Sequence, residues 1–357
     1  MKQNRLARVL KNMEQAGMKQ LLVSAPASVF YLTGQWIEPH ERMLVLCLDI
    51  NGHHRLFANE LFAAKEGPDA TLCLYDDTTD PVALLSESLY APSVGIDKSW
   101  PSRFLIRLLQ CKSGLAVREG SFAVDQARMY KDAEEIALLK ASSALNDRVI
   151  TQVFTQLYEG MRETELCNMI AEQYELGGAR GEGAATLACF GAGCAEPHHE
   201  PNETRLKKGD AVLIDTGKPL QRYYSDMTRT LFFAAASDEQ KKVYELVRAA
   251  HAAGVAAVAP GVPLATIDKA ARDVIEAAGY GAYFTHRLGH GIGLEIHEPP
   301  DVSAKSTDVL AAPGMVFSIE PGIYLPGQFG VRVEDLVLVT EEGVELLNHA
   351  DRQLRIV

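Results

Sequence analysis

The chain lacks the features that mark several common classes of protein. Its six cysteines (Cys47, Cys73, Cys111, Cys167, Cys189 and Cys194) include no Cys-x-x-Cys pair. Scattered in 357 residues, they imply reduced core thiols rather than a disulfide framework or a cysteine-based zinc site. No basic stripe appears, and the formal net charge is -12. Phosphate binding needs clustered Lys and Arg, so a nucleic-acid partner is excluded. No long hydrophobic run appears either. The opening MKQNRLARVLKNMEQAG alternates charged and apolar residues at helical spacing, unlike a signal peptide. The alanine-rich stretch 244–259, stopped by Pro260 and Pro263, is too short and too weakly hydrophobic to span a bilayer. These absences predict a soluble, cytoplasmic chain without membrane or nucleic-acid partners.

What is present suits a large folded protein. Apolar residues make up 47%, enough to bury a sizeable core, and the length allows two domains. Leu6 to Ala16 reads as an amphipathic helix ended by Gly17, while KQLLVSA, SVFYLTG, RMLVLCLD and TLCLYDD read as strands. Residues 1–125 are therefore expected to form a small α/β domain. From Asp132 a long helical pattern begins, with Glu134 and Glu135 in the first turn where the helix dipole favours acids. A second domain is expected over 126–357.

That second part contains a repeat. Residues 209–217 read GDAVLIDTG and residues 314–322 read GMVFSIEPG. Upstream, Gly160 and Gly178 bracket one helical stretch, and Gly261 and Gly279 bracket another at the same spacing. Two matched landmarks in the same order predict an α+β domain with internal duplication and pseudo-twofold symmetry. Such symmetry would bring two equivalent strand pairs around one site.

Each half places two acids among apolar strand residues: Asp215 and Asp226, eleven residues apart, then Glu320 and Glu334, fourteen apart. Carboxylates are almost never buried unless paired or bound to a metal. One such acid alone is best explained as pointing outward from a half-exposed strand. Two symmetric pairs reverse that balance. Five of the ten histidines fall in two loops: His198 and His199 in EPHHEP, and His286, His290 and His297 in THRLGHGIGLEIHEPP. Four carboxylates with one histidine form a hard, oxygen-rich set suited to a pair of manganese, cobalt(II), iron(II) or zinc ions. Such a pair supplies a water that loses its proton near neutral pH.

With these residues in place, the chain resembles the metallopeptidases of the pita-bread (creatinase/aminopeptidase) fold, which include methionine aminopeptidase, aminopeptidase P and prolidase. IDTG with SDMTRT, GHGIGLEIHEPP, SIEPGIY and VRVED occur in the family's order and spacing. The α/β first domain resembles that of the prolidase and aminopeptidase P branch. The resemblance implies a metal site of Asp215, Asp226, His290, Glu320 and Glu334, with Asp226 and Glu334 bridging two divalent ions, manganese foremost. It implies that Glu320 also passes a proton, and that His198 and His297 face the substrate and are catalytic. His286 and Arg332 match positions that meet or brace the carboxyl side of a proline-containing substrate. His199 matches no family role. His40 is a candidate to reach a neighbouring subunit's site in a homodimer. QRYYSD departs from the more usual Gly-Tyr before Ser-Asp.

The activity so implied is hydrolysis of the bond between an amino-terminal residue and proline in short peptides (an Xaa-Pro dipeptidase). Three alternatives stand beside it. They are an aminopeptidase P acting on longer peptides, a metal-dependent non-peptidase hydrolase or lyase of a small molecule, and an inactive binding module.

Overall fold

Local sequence explains most of the elements of the amino-terminal unit. The computed structural model describes residues 1–179 and 186–357, and the chain divides into two compact units, Met1–Arg128 and Met129–Val357. In the first, α1 (Gln3–Gln15) buries Leu6, Val9 and Met13, one stripe of an amphipathic helix. It is followed by β1 (Gln20–Val23), α2 (Pro26–Thr33), β2 (Val45–Asp49), β3 (Arg55–Asn59), β4 (Thr71–Tyr75), α3 (Pro81–Glu87), β5 (Ser93–Ile96), α4 (Ser102–Cys111), β6 (Ala116–Glu119) and α5 (Phe122–Met129). The strands form one mixed sheet in the order β4-β3-β2-β1-β5-β6.

One element differs from the sequence reading. SVFYLTG, expected as a strand, lies in the helix α2 and its cap. Pro26 stands at its first turn, where its missing N–H costs nothing, and Gly34 closes it in a left-handed conformation with φ 74°. Ala27, Ser28, Val29, Tyr31 and Leu32 are all buried. A helix buried on most sides shows no polar face, so its period is hidden.

The second unit runs α6 (Ala133–Val153), α7 (Glu163–Leu176), β7 (Leu187–Phe190), β8 (Ala211–Thr216), β9 (Met227–Phe232), α8 (Asp238–Ala256), α9 (Leu264–Ala277), β10 (Gly289–Gly291), β11 (Glu298–Val302), β12 (Val316–Ile319), β13 (Gly322–Leu325), β14 (Phe329–Arg332), β15 (Asp335–Val339) and β16 (Val344–Leu346). The duplication is visible in the sheets. In the first half β8 lies between β7 and β9, and in the second β12 lies between β10 and β15, every pairing antiparallel. The landmark glycines match in conformation as well as position. Gly160 and Gly261 have φ 87° and 82°, Gly178 and Gly279 have 86° and 83°, and Gly209 and Gly314 have 90° and 89°. Each is a left-handed residue at a chain reversal, which glycine supplies without a Cβ clash. The repeat is thus a repeat of backbone geometry. Equivalent capping boxes, Asp132 with Glu135 and Ser237 with Gln240, begin α6 and α8.

All six cysteines are free thiols. Among the described residues no helix is long and apolar enough to cross a membrane.

Candidate active site

The duplicated strands deliver the acids to a common place. Asp215 is on β8, and Asp226 immediately precedes β9, the strand that pairs with it. Glu320 directly follows β12, and Glu334 immediately precedes its partner β15. The hairpin of β13 and β14 intervenes between the latter two acids. A backbone seam joins the halves, for Glu334 donates its N–H to the Thr228 carbonyl at 3.1 Å. Behind it the buried Arg229 guanidinium donates to the Glu334 carbonyl at 2.6 Å and pairs with Asp335 at 2.7 Å.

Two glycines allow this closeness. A Cβ on Gly217 would meet the Ser225 carbonyl oxygen at 1.8 Å, and one on Gly289 would meet that of Ser318 at 1.8 Å. Each glycine lies within two residues of a proposed ligand and lets one backbone lie against another. In the segment that departs from the usual Gly-Tyr, Arg222 has φ 77°. That conformation strains a residue with a side chain, but it falls one position before Tyr223, which stands where the family more usually has glycine and has no positive φ.

Ligand atoms of Asp226, His290 and Glu334 all lie within 4.8 Å of one another, and all three residues are buried. His290 Nε2 is 3.7 Å from Asp226 and 3.3 Å from Glu320. His290 Nδ1 lies 3.1 Å from the Gly291 carbonyl oxygen. A proton on Nδ1 satisfies that carbonyl and leaves Nε2 with its lone pair toward the acids, the tautomer that binds a cation. Asp215 lines the same cavity, and its carboxylate accepts from Arg332 at 2.6 Å. The donor set therefore fits divalent cations: oxygen-rich, with one neutral imidazole and no thiolate.

Several residues that the motifs contain, but that no sequence argument singles out, hold these side chains in place. Thr228 donates to Glu334 at 2.6 Å, and Ser318 donates to Glu320 at 3.0 Å while accepting the His290 backbone N–H at 3.0 Å. Tyr324 links His286 Nε2 and Arg332, each at 2.8 Å. Arg332 is buried and also donates to Thr228 at 3.0 Å. Arg332 lines the cavity, but its guanidinium is engaged by Asp215, Tyr324 and Thr228. His286 is similarly engaged, with Nδ1 2.7 Å from the Arg287 carbonyl oxygen.

Above these residues lies a cavity of about 670 Å³, lined among others by His198, His199, His286, His297 and Leu187. His198 and His297 are exposed at its rim. The His297 ring meets that of His290 edge-on, with centroids 4.3 Å apart. His40 is exposed in the amino-terminal unit.

Burying like charges has electrostatic consequences for the metal-free protein. Burial, reinforced by Asp215 and Glu320, raises the Asp226 carboxyl well above its ordinary range. Burial, with Asp226 and Glu320 beside it, does the same to Glu334, and burial lifts Glu320 to about 7. The histidines move the other way. Burial lowers His290 to about 3 and His286 to about 4.

These shifts set a pH dependence for the chelated protein. A carboxyl raised on folding stabilises below its unfolded range and loses that contribution as pH rises through its folded value. An imidazole lowered on folding contributes fully above its unfolded pKa of about 6.5 and stays constant beyond it. Above about pH 6.5 the contributions of His286 and His290 are constant, while that of the carboxyls still changes. The melting temperature of the chelated protein is expected to fall between about pH 6.5 and 8, and metal uptake there is expected to release protons. Thermal scans and calorimetry in buffers of different ionisation enthalpy measure both. A flat or rising melting temperature across that window contradicts the electrostatic account.

Comparison with known proteins adds to this geometry. The model of metallopeptidase family M24 matches residues 137–341, and that of the creatinase/prolidase N-terminal domain matches residues 5–130. An uncharacterized peptidase of Staphylococcus aureus (strain USA300) is 37% identical over 336 residues, which cover 92% of this chain and 94% of that protein. The crystal structure of a prolidase from Thermococcus sibiricus superposes with a TM-score of 0.93 at 32% identity, covering 99% of both chains. That of an X-Pro aminopeptidase from Thermotoga maritima gives 0.84 at 27% identity, covering 97% of this chain and all of the other.

Proposed function

Since the chain belongs to metallopeptidase family M24, we propose that it is a dinuclear-metal Xaa-Pro dipeptidase. The observation that carries this reading is the convergence of Asp226, His290 and Glu334, with Glu320 and Asp215 beside them, on the wall of one cavity. The higher TM-score and identity of the Thermococcus prolidase (0.93, 32%) than of the Thermotoga X-Pro aminopeptidase (0.84, 27%) favour the dipeptidase reading. In this reading Asp215, Asp226, His290, Glu320 and Glu334 would hold two divalent ions, manganese foremost. When bound, such ions polarise a carbonyl and make water a stronger acid.

The remaining work falls to the chain's own side chains. Glu320, steadied by Ser318, takes the proton of the attacking water. The prolyl nitrogen of the substrate is a tertiary amide without N–H and must acquire a proton as its bond to the carbonyl breaks. His198 and His297, at the cavity rim, are placed to steady the developing oxyanion and to deliver that proton. His286 and the Arg332–Tyr324 pair brace the wall that receives the proline carboxyl group. Free thiols throughout support a reducing, cytoplasmic setting.

The test is a panel of Xaa-Pro dipeptides, Xaa-Pro tripeptides and longer peptides, run on chelated protein reloaded with single metals. Dipeptides are expected to be hydrolysed fastest, with manganese or cobalt. Faster cleavage of the longer peptides would turn the assignment to aminopeptidase P. No hydrolysis of any member under any metal would remove the peptidase reading.

A further inference from the structure

An exposed imidazole such as that of His198 has no fixed direction of its own, and what orders its loop lies one residue further on. Glu163, the first residue of α7, is fully buried. One carboxylate oxygen accepts the backbone N–H of Phe190, at the end of β7, at 2.8 Å. The other accepts the backbone N–H of Asn202 at 3.0 Å and lies 2.8 Å from His199 Nε2. A single carboxylate thus ties together a helix start, a strand end and both sides of the loop that carries His198. The strand is not a remote one, for Leu187 of β7 is the register partner of Asp215.

The pair has a built seat. A Cβ on Gly193 would come within 3.0 Å of His199 Cε1 and 3.4 Å of the Glu163 carboxylate, so the glycine leaves the space that the ring occupies. Placing Glu163 in the first turn of α7 aligns its charge with the helix dipole. Burial, the largest single cause, lowers the His199 pKa, but the hydrogen bonds and charges of Glu163 and Glu196 together outweigh it, and the net direction is upward. With its proton on Nε2 the imidazole donates to the carboxylate at 2.8 Å. Its Nδ1 lies 3.4 Å from the exposed Glu196.

We propose that Glu163 and His199 form a positioning pair that anchors the rim loop and holds the His198 imidazole toward the cavity, acting through His198 rather than on the substrate. The proposal rests on the reading of His198 as substrate-facing.

A double-mutant cycle on the manganese-loaded enzyme tests it. His199→Phe keeps the ring volume but loses the bond, and is expected to lower kcat by about tenfold to a hundredfold, the usual effect of displacing a catalytic group by about 1 Å. Metal content and KM are expected to stay within about twofold of wild type. His199→Gln, whose amide nitrogen can stand where Nε2 stands, is expected to recover most of that loss. In a His198→Ala background His199→Phe is expected to change kcat no further, because both substitutions remove the same contribution. If His199→Phe does not fold, His199→Asn, too short to reach Glu163, takes its place with the same expectation. Undiminished kcat, an equal loss in the His198→Ala background, or no recovery with glutamine each overturns the proposal.

Failure of the wild type to cleave any Xaa-Pro peptide is a separate result, which removes the functional reading. Hydrogen exchange then still examines the anchor itself. Glu163→Ala is expected to speed exchange at the Phe190 and Asn202 amides and to leave β9 unchanged, and unaltered exchange at those two amides overturns the anchor.

Discussion

Asp226→Asn is expected to abolish hydrolysis while making the metal-free protein more stable. Losing an outer partner of a metal ligand typically costs about 10–100-fold, so loss of a proposed direct ligand is expected to lower kcat/KM by about a thousandfold or more, even in saturating manganese. The stability effect has the opposite sign because of what surrounds the side chain. Asp226 is buried, beside Asp215 and Glu320, and its carboxyl is raised well above the ordinary range. At pH 8 the metal-free protein must hold that group as a buried anion among other anions or keep it protonated against the solvent. Asparagine has nearly the same shape and no charge. A gain in stability at pH 8 is expected, because asparagine removes the cost of a carboxyl raised on folding. Denaturant unfolding of chelated wild type and variant, alongside hydrolysis rates of the reloaded proteins, measures both effects. Retained hydrolysis would remove Asp226 from the metal site, and a less stable chelated variant would remove the like-charge account.

Arg332→Met is expected to produce the reverse in the metal-free protein. The buried guanidinium is bonded to Asp215 at 2.6 Å and also to Tyr324 and Thr228. Removing one partner of a buried charge pair costs about 3–5 kcal/mol, because the other charge is left uncompensated. Arg332→Lys is expected to recover only part of this, since an ammonium cannot satisfy three acceptors in the fork geometry of arginine. Saturation with manganese is expected to shrink the deficit, because bound dications supply the missing positive charge beside the same carboxylates. Unfolding midpoints with and without metal distinguish this from simple loss of packing. A deficit unaffected by metal would mean that Arg332 acts through its volume and not its charge.

These two effects show where sequence reasoning reached and where it stopped. The acids were conspicuous because charged residues stood among apolar strand residues at matched positions of a repeat. Arg332, also set among apolar residues in VRVED, stands out only through family resemblance, as a residue that meets or braces the carboxyl side of a substrate. The structure places Asp215, 117 positions away in sequence, at its guanidinium. Thr228 carried no signal, because a threonine in a strand is unremarkable until its hydroxyl meets Glu334 from the other half. His199 was passed over for the same reason, its partner Glu163 being 36 positions upstream in a helix. SVFYLTG was misjudged because a short apolar run buried on most sides has the same composition whether it forms a strand or a helix.

By itself the sequence determined the ligand types, the duplicated frame and the turns that close it. These depend on local chemistry: a carboxylate has few reasons to be buried, and a reversal at positive φ requires glycine. The tertiary structure alone decided which side chains restrain those ligands, which way their protons shift and what anchors the loop over the cavity. Each of those depends on groups brought together from distant parts of the chain, and neither distance nor burial is written in the spacing of neighbours.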